Sequence, residues 1–467
     1  MSPGHESGPG GDAADRGGAS DSGAATGRGG TTAGGATTER GGATPPPGSH
    51  PTPPRPQGIA RNITWLGFGS AAVSPLWFFF ISYLCIRNLS ADAYGLMNWA
   101  LWLMIIATSA TDLGLNDFVT REVARQRDQA WRYFSNFVLF RGVFGVIIVV
   151  TVLLVAQLVG AGEDRLTALG LAGVYALCTF LIGFCRVFFR AFEVLKYESI
   201  SIVLEKVLVL TVGTAALLAT RTATGTLAGM TIGMVLALAG TFGFVAYRIA
   251  PFEFKVVKAG FLKEKLLIAA PLGVFAVAVV ASQRLGPVIL DFFEGQTAVG
   301  RFGAAYRIVE AMMLLPALAT AAFLPRMSSA WGRGNRKEYH NLVLKAAGGL
   351  TAATAFIGLL VGVGGHALMD WVADGDITYD GAGTILRWLG LAYPLMGLNS
   401  VLSVSLIAAD AQSFLARFMS TATLASALLF VAFIWQFGVW GLIGVLIALW
   451  AFTSVALWAR IRVLVRQ

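Results

Sequence analysis

The sequence predicts an all-α polytopic membrane protein with about twelve transmembrane helices, arranged as two six-helix lobes related by a pseudo-two-fold axis along the membrane normal. Apolar stretches of about 20 residues, the length that spans a bilayer as a helix, follow one another from Ile63 to Ile461. Hydrophobic residues make up 56% of the chain and charged residues 13%, so no soluble catalytic domain is expected. The second half of the chain also weakly repeats the first.

Residues 1–58 differ from the rest because they are rich in Gly, Ser, Thr and Pro and nearly lack large apolar side chains. Such a segment cannot bury enough surface to fold, so we predict a disordered tail. It contains no apolar core of a signal peptide, and we expect it to stay in the cytoplasm.

Twelve predicted spans follow the tail. The N-lobe covers 59–249, with spans at 63–86, 95–118, 134–159, 166–189, 199–220 and 225–248. An amphipathic cytoplasmic linker at 250–265 comes next, and it is expected to lie on the inner leaflet. The C-lobe covers 266–467 and ends in a short basic tail, with spans at 266–291, 299–324, 342–366, 384–408, 415–437 and 439–459.

Lys and Arg are distributed unevenly over the loops, and this sets the predicted orientation. The loops after the second, fourth, sixth and eighth spans and the C-terminal tail hold most of them, whereas the opposite loops hold Arg87, Arg165 and Arg221. Because positively charged loops stay in the cytoplasm, both termini are predicted on the cytoplasmic side of the cell membrane. The net charge of +9 reflects this topology, and no nucleic-acid partner is expected.

The two halves align without gaps when the chain is shifted by 205 residues. This shift pairs Gly95 with Gly300 and Arg121 with Arg326, and it overlays the basic loop 120–132 on 325–337. Because each half contains an even number of spans, both halves begin on the same side of the membrane. A two-fold axis along the membrane normal would therefore relate them.

Four short motifs indicate a family. The runs SADAYGLMNWA (90–100), DLGLNDF (112–118), REVAR (121–125) and TAVGRFGAAYRI (297–308) resemble segments of flippases for polysaccharides and oligosaccharide-lipids. These flippases belong to the multidrug/oligosaccharidyl-lipid/polysaccharide (MOP) exporter superfamily. The resemblance covers residues 60–460.

This resemblance implies a flippase that moves an undecaprenyl-diphosphate-linked oligosaccharide from the inner to the outer leaflet by alternating access between two lobes. Its partners would be this polyprenyl-diphosphate-linked cargo, membrane lipid, glycosyltransferases inside the cell and a polysaccharide polymerase outside it. The protein would serve cell-surface polysaccharide biosynthesis as a transporter and not as an enzyme, without catalytic residues, cofactor or metal.

Four basic residues inside the spans are candidates for a cleft that binds the diphosphate head group. By helical rise, Arg284 and Arg307 lie in the outer half of the membrane, whereas Arg141 and Lys206 lie about 10 Å from the inner surface. Arg suits a buried anion because its guanidinium offers a fork of donors. The alternative is that each cation snorkels or pairs locally, as Arg307 could with Glu310 on the same helical face.

Basic residues also cluster at the predicted cytoplasmic mouth, at Arg121, Arg125, Arg186 and Arg190. They could gather an anionic head group, or they could anchor the helices at anionic lipid. Arg190 is also near enough in sequence to pair with Glu193.

Export needs an energy source, and the sequence lacks the GxxxxGK[ST] loop of direct ATP use. Coupling to a proton or sodium gradient is therefore considered, and the candidate carboxylates are Glu310, Glu205 and Asp112. A buried ion pair or a helix cap would explain the same residues without transport. Many relatives carry an acidic residue before the Arg of the seventh span, whereas here Gln283 precedes Arg284.

Two other functions stay open. A cation-coupled drug or metabolite antiporter would share the fold but would need a carboxylate-lined pocket, and the deep charges here are mainly basic. A membrane glycan polymerase or ligase would need a catalytic platform outside the cell, where the longest predicted loop is residues 365–381, with four Asp and one His. A solvated loop explains that segment equally well.

Overall fold

The computed structural model describes residues 75–466, except for the side chains of residues 267–276 and 279. Within these residues the regular structure is helical and contains no strand. The predicted tail at 1–58 and the first half of the first predicted span lie outside the described residues.

Within the described residues, seven helices form the N-lobe. Helix α1 covers residues 75–88 and contains a π-helical segment at Phe80–Leu84. Helix α2 begins after Ser90, whose hydroxyl accepts a hydrogen bond from the backbone N–H of Ala93. The bounds are Ala91–Ser109 for α2, Leu115–Arg125 for α3, Ala130–Leu158 for α4, Glu163–Ala191 for α5, Leu195–Thr220 for α6 and Ala223–Arg248 for α7.

Six helices form the C-lobe, and two of their connections are single glycines with positive φ. The helical run Ala259–Met312 leaves helical geometry at Gly295, where φ is 79°, and this separates α8 (259–294) from α9. The run Gln412–Arg466 does the same at Gly438, where φ is 57°, and gives α12 (412–437) and α13 (439–466). Helix α9 consists of residues 296–312 and, after an irregularity at Met313, Leu314–Gly332. Helix α10 is Arg336–Ala373 and α11 is Ala382–Ala408.

The chain reverses direction at both glycines. A Cβ atom on Gly441 would overlap the carbonyl oxygen of Phe433, so the residues on either side of Gly438 face each other. Likewise, Arg284 and Glu310 lie within electrostatic range of each other. A straight helix would place these two residues about 39 Å apart, so the chain must fold back at Gly295. Glycine is needed at such reversals because it adopts positive φ without steric cost.

The second predicted span, 95–118, extends too far. Helix α2 ends at Ser109, and the left-handed residues Leu113 (φ 43°) and Gly114 (φ 70°) turn the chain before α3 begins. Helix α3 is amphipathic and carries Arg121 and Arg125. Apolar composition alone therefore merged the end of a membrane helix with a separate short helix.

In the described part of the chain, eight helical runs are long and apolar enough to cross a membrane, and two of them contain the paired helices that meet at Gly295 and Gly438. With α1 and α2, the described chain thus holds twelve candidate membrane helices, six in each lobe. The predicted fold class is confirmed, and the chain is a multi-pass membrane protein.

The apolar cores show where the two lobes meet. One cluster contains residues of both lobes, including Phe80 and Trp102 of the N-lobe and Phe302 and Leu442 of the C-lobe. A second cluster is built from the N-lobe and the first turns of α8, and a third from the C-lobe alone. The shared core lies at one end of the bundle, which we call the sealed end, formed by the α1–α2 turn, the Gly295 turn and the α10–α11 loop.

The segment between the lobes is fixed to the start of α4. Its residues 251–258 contain one 3-10 turn, Phe254–Val256, before α8 begins. The Ser135 hydroxyl accepts a hydrogen bond from Glu253 N, and the Asn136 amide oxygen accepts one from Lys258 N, both at 2.9 Å. These bonds hold the linker against the N-lobe at the end opposite the sealed end.

Candidate functional site

Arg307 of α9 lies at the contact between the two lobes. One guanidinium nitrogen, Nη1, is 2.7 Å from Glu310 Oε2, one turn further along the same helix. The other, Nη2, donates across the interface to Asn98 Oδ1 of α2 at 3.0 Å, and the guanidinium lies 5.6 Å from the ring centre of Trp102. The Arg307 side chain is 17% exposed, so these groups replace most of its hydration.

Arg284 of α8 lies within electrostatic range of Arg307, Glu310 and Tyr306. Its side chain is half-buried, and its buried Nε has no hydrogen-bond partner. Among the residues whose side chains are described, Arg284 has no ion-pair partner within 4.0 Å. A partly buried cation without a partner is costly, and such residues in membrane helices usually serve a function.

A cavity of about 500 Å³ separates α1 from α9 and brings Arg307 and Glu310 to its wall. Two buried polar atoms on this wall, Ser82 Oγ and Arg307 Nε, have no hydrogen-bond partner within the described part of the chain. The rest of the wall is mostly apolar and is formed by Pro75, Trp77, Phe78, Ile81, Ala311, Met313, Leu314 and Ala317.

This arrangement suits an anionic group attached to an apolar one. Two guanidinium groups and one carboxylate leave the site with a net positive charge, and the buried Nε donor of each arginine has no acceptor among the described residues. Phosphate oxygens match such donors, and the apolar wall would contact hydrocarbon.

Arg141 of α4 lies elsewhere and is fully enclosed. Its Nη2 is 2.6 Å from Asp112 Oδ1, and its guanidinium lies 4.5 Å from the ring centre of Phe184. The Asp112 carboxylate also accepts hydrogen bonds from the backbone and side-chain amides of Asn116. In this conformation Arg141 and Asp112 satisfy each other inside the N-lobe, away from the cavity.

Glu205 joins two of the predicted cations. Arg186 Nη2 lies 2.6 Å from Glu205 Oε2, and Lys206 Nζ lies 2.9 Å from Glu205 Oε1. Lys206 also lies 4.4 Å from the ring centre of Trp77, which lines the cavity. Lys206 is therefore next to the cavity wall, with its charge shared with Glu205.

The four arginines predicted at the mouth fall into two groups. Arg121 and Arg125 are exposed on α3, whereas Arg186 is held by Glu205 as described. Arg190 pairs with Glu198 at 2.8 Å, and Glu193 lies 3.4 Å from Arg127. On the exposed face of α3, Arg121 Nε donates to the carbonyl oxygen of Asp117 at 3.3 Å, and Arg125 pairs with Glu122 at 3.6 Å.

The sealed end contains an inter-lobe ion pair that the sequence reasoning missed. Arg165 at the start of α5 contacts both carboxylate oxygens of Asp291 near the end of α8, at 3.1 and 3.2 Å. Nearby, a Cβ atom on Gly300 would overlap the carbonyl oxygen of Ala91, so the backbones of α2 and α9 are in direct contact. Asn98 was missed too, and the signal that could have found it is an amide side chain inside an apolar span.

Several solved structures share this fold, among them a flippase and two transporters. Lipid II flippase MurJ in an inward closed conformation matches with a TM-score of 0.69 at 11% identity, over 85% of this chain and 87% of that one. An inward-facing multidrug resistance MATE family transporter of the MOP superfamily matches with a TM-score of 0.62 at 16% identity, over 83% and 94%. A MOP superfamily transporter from Pyrococcus furiosus matches with a TM-score of 0.57 at 16% identity, over 87% and 95%.

These TM-scores show a shared fold at low sequence identity, and the resemblance to the MOP superfamily is confirmed at the level of the fold. No curated protein sequence matches the chain significantly. A family model described as polysaccharide biosynthesis protein matches residues 59–331, which is more than half of the chain. The chain therefore belongs to the polysaccharide biosynthesis protein family.

Proposed function

We propose that this protein is a flippase that moves a polyprenyl-diphosphate-linked oligosaccharide from the inner to the outer leaflet of the cell membrane during cell-surface polysaccharide assembly. The observation that carries the proposal is the pair Arg284 and Arg307. Arg307 lines an inter-lobe cavity, Arg284 lies within electrostatic range of it, and the buried Nε of each has no hydrogen-bond partner in the described part of the chain. A diphosphate head group would supply the negative charge and the acceptor oxygens that these N–H donors do not find within the described part of the protein.

The energetic argument concerns the head group. An isolated charge in hydrocarbon costs many kcal/mol, so a carrier must replace its hydration with fixed donors. Opposite charges about 4 Å apart gain roughly 4 kcal/mol at an effective dielectric constant of about 20. Arg307 and the Ser82 hydroxyl on the cavity wall, with the charge of Arg284 nearby, would supply such interactions, while the apolar wall from α1 would accept the first part of the polyprenyl chain.

The proposed orientation places both termini in the cytoplasm. It rests on the basic loops, which lie at the end opposite the sealed end. With this orientation the sealed end faces outward, and the exposed Arg121 and Arg125 of α3 lie at the cytoplasmic opening. Cargo would bind from the cytoplasmic side and leave after the lobes separate at the sealed end.

Energy coupling would fall to Glu310 if an ion gradient drives the cycle. Of the three candidate carboxylates, Glu310 is the one on the cavity wall, and its side chain is 34% exposed. Asp112 is already paired with Arg141, and Glu205 is shared between Arg186 and Lys206. A proton or sodium ion at Glu310 would compete with Arg307 and so change the charge offered to the cargo.

The test is to deplete the protein from its host and analyse lipid-linked oligosaccharides by mass spectrometry, with sidedness probed by a membrane-impermeant glycosidase. We expect complete repeat units to accumulate facing the cytoplasm. Accumulation of single units facing outward would contradict the proposal in favour of a polymerase or ligase. An unchanged lipid pool with new drug sensitivity would contradict it in favour of an antiporter.

A further inference from the structure

A short segment of the α10–α11 loop, residues 374–379, reaches from the C-lobe to the α1–α2 turn of the N-lobe. Asp374 Oδ1 lies 2.7 Å from Arg87 Nη2. The Thr378 hydroxyl accepts a hydrogen bond from Ala91 N at 3.0 Å, and the Tyr379 hydroxyl donates to the carbonyl oxygen of Leu89 at 2.9 Å. We call residues 374–379 the strap.

The strap is held in shape by its own lobe. Asp376 Oδ1 accepts a hydrogen bond from Thr378 N at 2.8 Å, within the 3-10 turn Ile377–Tyr379. Arg301 at the start of α9 donates from Nε to the carbonyl oxygen of Thr378 at 2.9 Å. The groups that contact the other lobe are therefore oriented before that contact forms.

The strap contacts two backbone groups that helix geometry leaves without partners. Ala91 N is the first N–H of α2, and such groups at a helix start have no acceptor within the helix. Leu89 O lies in the turn just before it. Strap hydroxyls satisfy both groups, and water would satisfy them equally after separation. The contact is therefore specific in geometry and readily reversible. Separating the apolar contact beneath it would instead expose apolar side chains.

We propose that the strap is a releasable fastening of the sealed end, which must detach from the α1–α2 turn before cargo can leave. This deepens the proposed function and rests on it for the transport step. The ion pair Arg87–Asp374 is suited to such a role because its side chains are 34% and 61% exposed, so both charges can return to water. Tyr379 is 4% exposed and fixes the register of the contact.

A reversible cross-link tests whether the strap must detach. Arg87→Cys with Asp374→Cys is treated in proteoliposomes with a short bis-methanethiosulfonate reagent, and oligosaccharide-lipid extracted from the depleted cells serves as cargo. The matched control is His366→Cys with Thr384→Cys, whose native side chains lie 3.3 Å apart at the same end but within the C-lobe. The native cysteines are buried and stay in place.

We expect the cross-linked strap pair to lose at least 10-fold in translocation rate and to recover after reduction, while the cross-linked control pair keeps its rate. A fully cross-linked strap pair that translocates at the control rate would overturn the proposal.

A second measurement does not depend on cargo. Ser82→Cys places a thiol on the cavity wall, and its labelling by a membrane-impermeant maleimide added from the sealed side reports opening there. Thr378→Val with Tyr379→Phe removes both strap hydroxyls and should raise the labelling rate several-fold, whereas Thr378→Ser keeps its hydroxyl and should not. Unchanged labelling would refute the strap. Faster labelling in a protein that moves no lipid-linked cargo would refute the flippase proposal and leave the strap standing.

Discussion

Replacing Arg284 by Gln separates a binding arginine from a structural one. Arg284 has no ion-pair partner among the described side chains, so its removal leaves no carboxylate unpaired. Arg141, by contrast, is enclosed and paired with Asp112 at 2.6 Å. The two residues are chemically identical and lie in the same chain, so Arg141→Gln is the matched control.

The two substitutions should change the free energy of unfolding in different directions, and only Arg284→Gln is expected to weaken cargo binding directly. A charge-assisted hydrogen bond contributes about 1.5–3 kcal/mol, so Arg284→Gln should weaken cargo binding about 10- to 100-fold. The free energy of unfolding should stay the same or rise, because a partly buried unpaired cation is removed. Arg141→Gln should lower the free energy of unfolding by about 3 kcal/mol, because it leaves Asp112 without its cation.

The assay combines translocation with thermal unfolding. Translocation is measured against the concentration of extracted oligosaccharide-lipid in proteoliposomes, at matched protein levels. Unfolding is followed in detergent with a thiol-reactive dye, since Cys85, Cys178 and Cys185 are buried and become reactive only when the fold opens. Arg284→Lys is included because it keeps the charge but loses the fork of donors, and it should fall between wild type and Arg284→Gln.

The reasoning fails if Arg284→Gln translocates cargo at every concentration as wild type does. It also fails if Arg284→Gln lowers the unfolding temperature as much as Arg141→Gln, because Arg284 would then be structural.

Three further predictions concern the sealed end and the coupling step. Gly300→Ala should destabilise the sealed conformation by about 1–3 kcal/mol, since its Cβ would overlap the Ala91 carbonyl; faster maleimide labelling from that side would show it, and wild-type labelling would contradict it. Asp291→Asn should weaken the contact to Arg165 by about 1.5–3 kcal/mol and lower the unfolding temperature, whereas an unchanged temperature would mean that the pair contributes nothing. Glu310→Gln should make translocation independent of an imposed proton or sodium gradient, and a mutant that still responds would exclude this carboxylate as the coupling site.

Apolar length and charge placement were enough to predict the helices and their grouping. They were insufficient where the backbone conformation of a single residue decides where a helix ends. Leu113 is as apolar as the residues before it, so composition carries the second span past Ser109, yet its positive φ ends the membrane helix there. Leucine rarely adopts this conformation, and only tertiary packing can impose it.

The site shows the same division. The cost of intramembrane charge identified Arg284, Arg307 and Arg141 as candidates without distinguishing among them. The distinction depends on Asp112, which lies 29 residues before Arg141 and meets it only in the folded lobe. Asn98 escaped notice because a neutral amide is a weak signal in sequence, although it joins Arg307 across the interface.

The enclosed pair Arg141–Asp112 also constrains how the chain is inserted into the membrane during synthesis. An Arg near the middle of an isolated helix adds about 2.5–3.5 kcal/mol to the cost of insertion. Asp112, between α2 and α3, is synthesised before Arg141 of α4. The ion pair can form only once α4 has reached the membrane beside the α2–α3 turn. These helices should therefore leave the translocon together, and Asp112→Asn should trap nascent chains at α4 before any transport function exists.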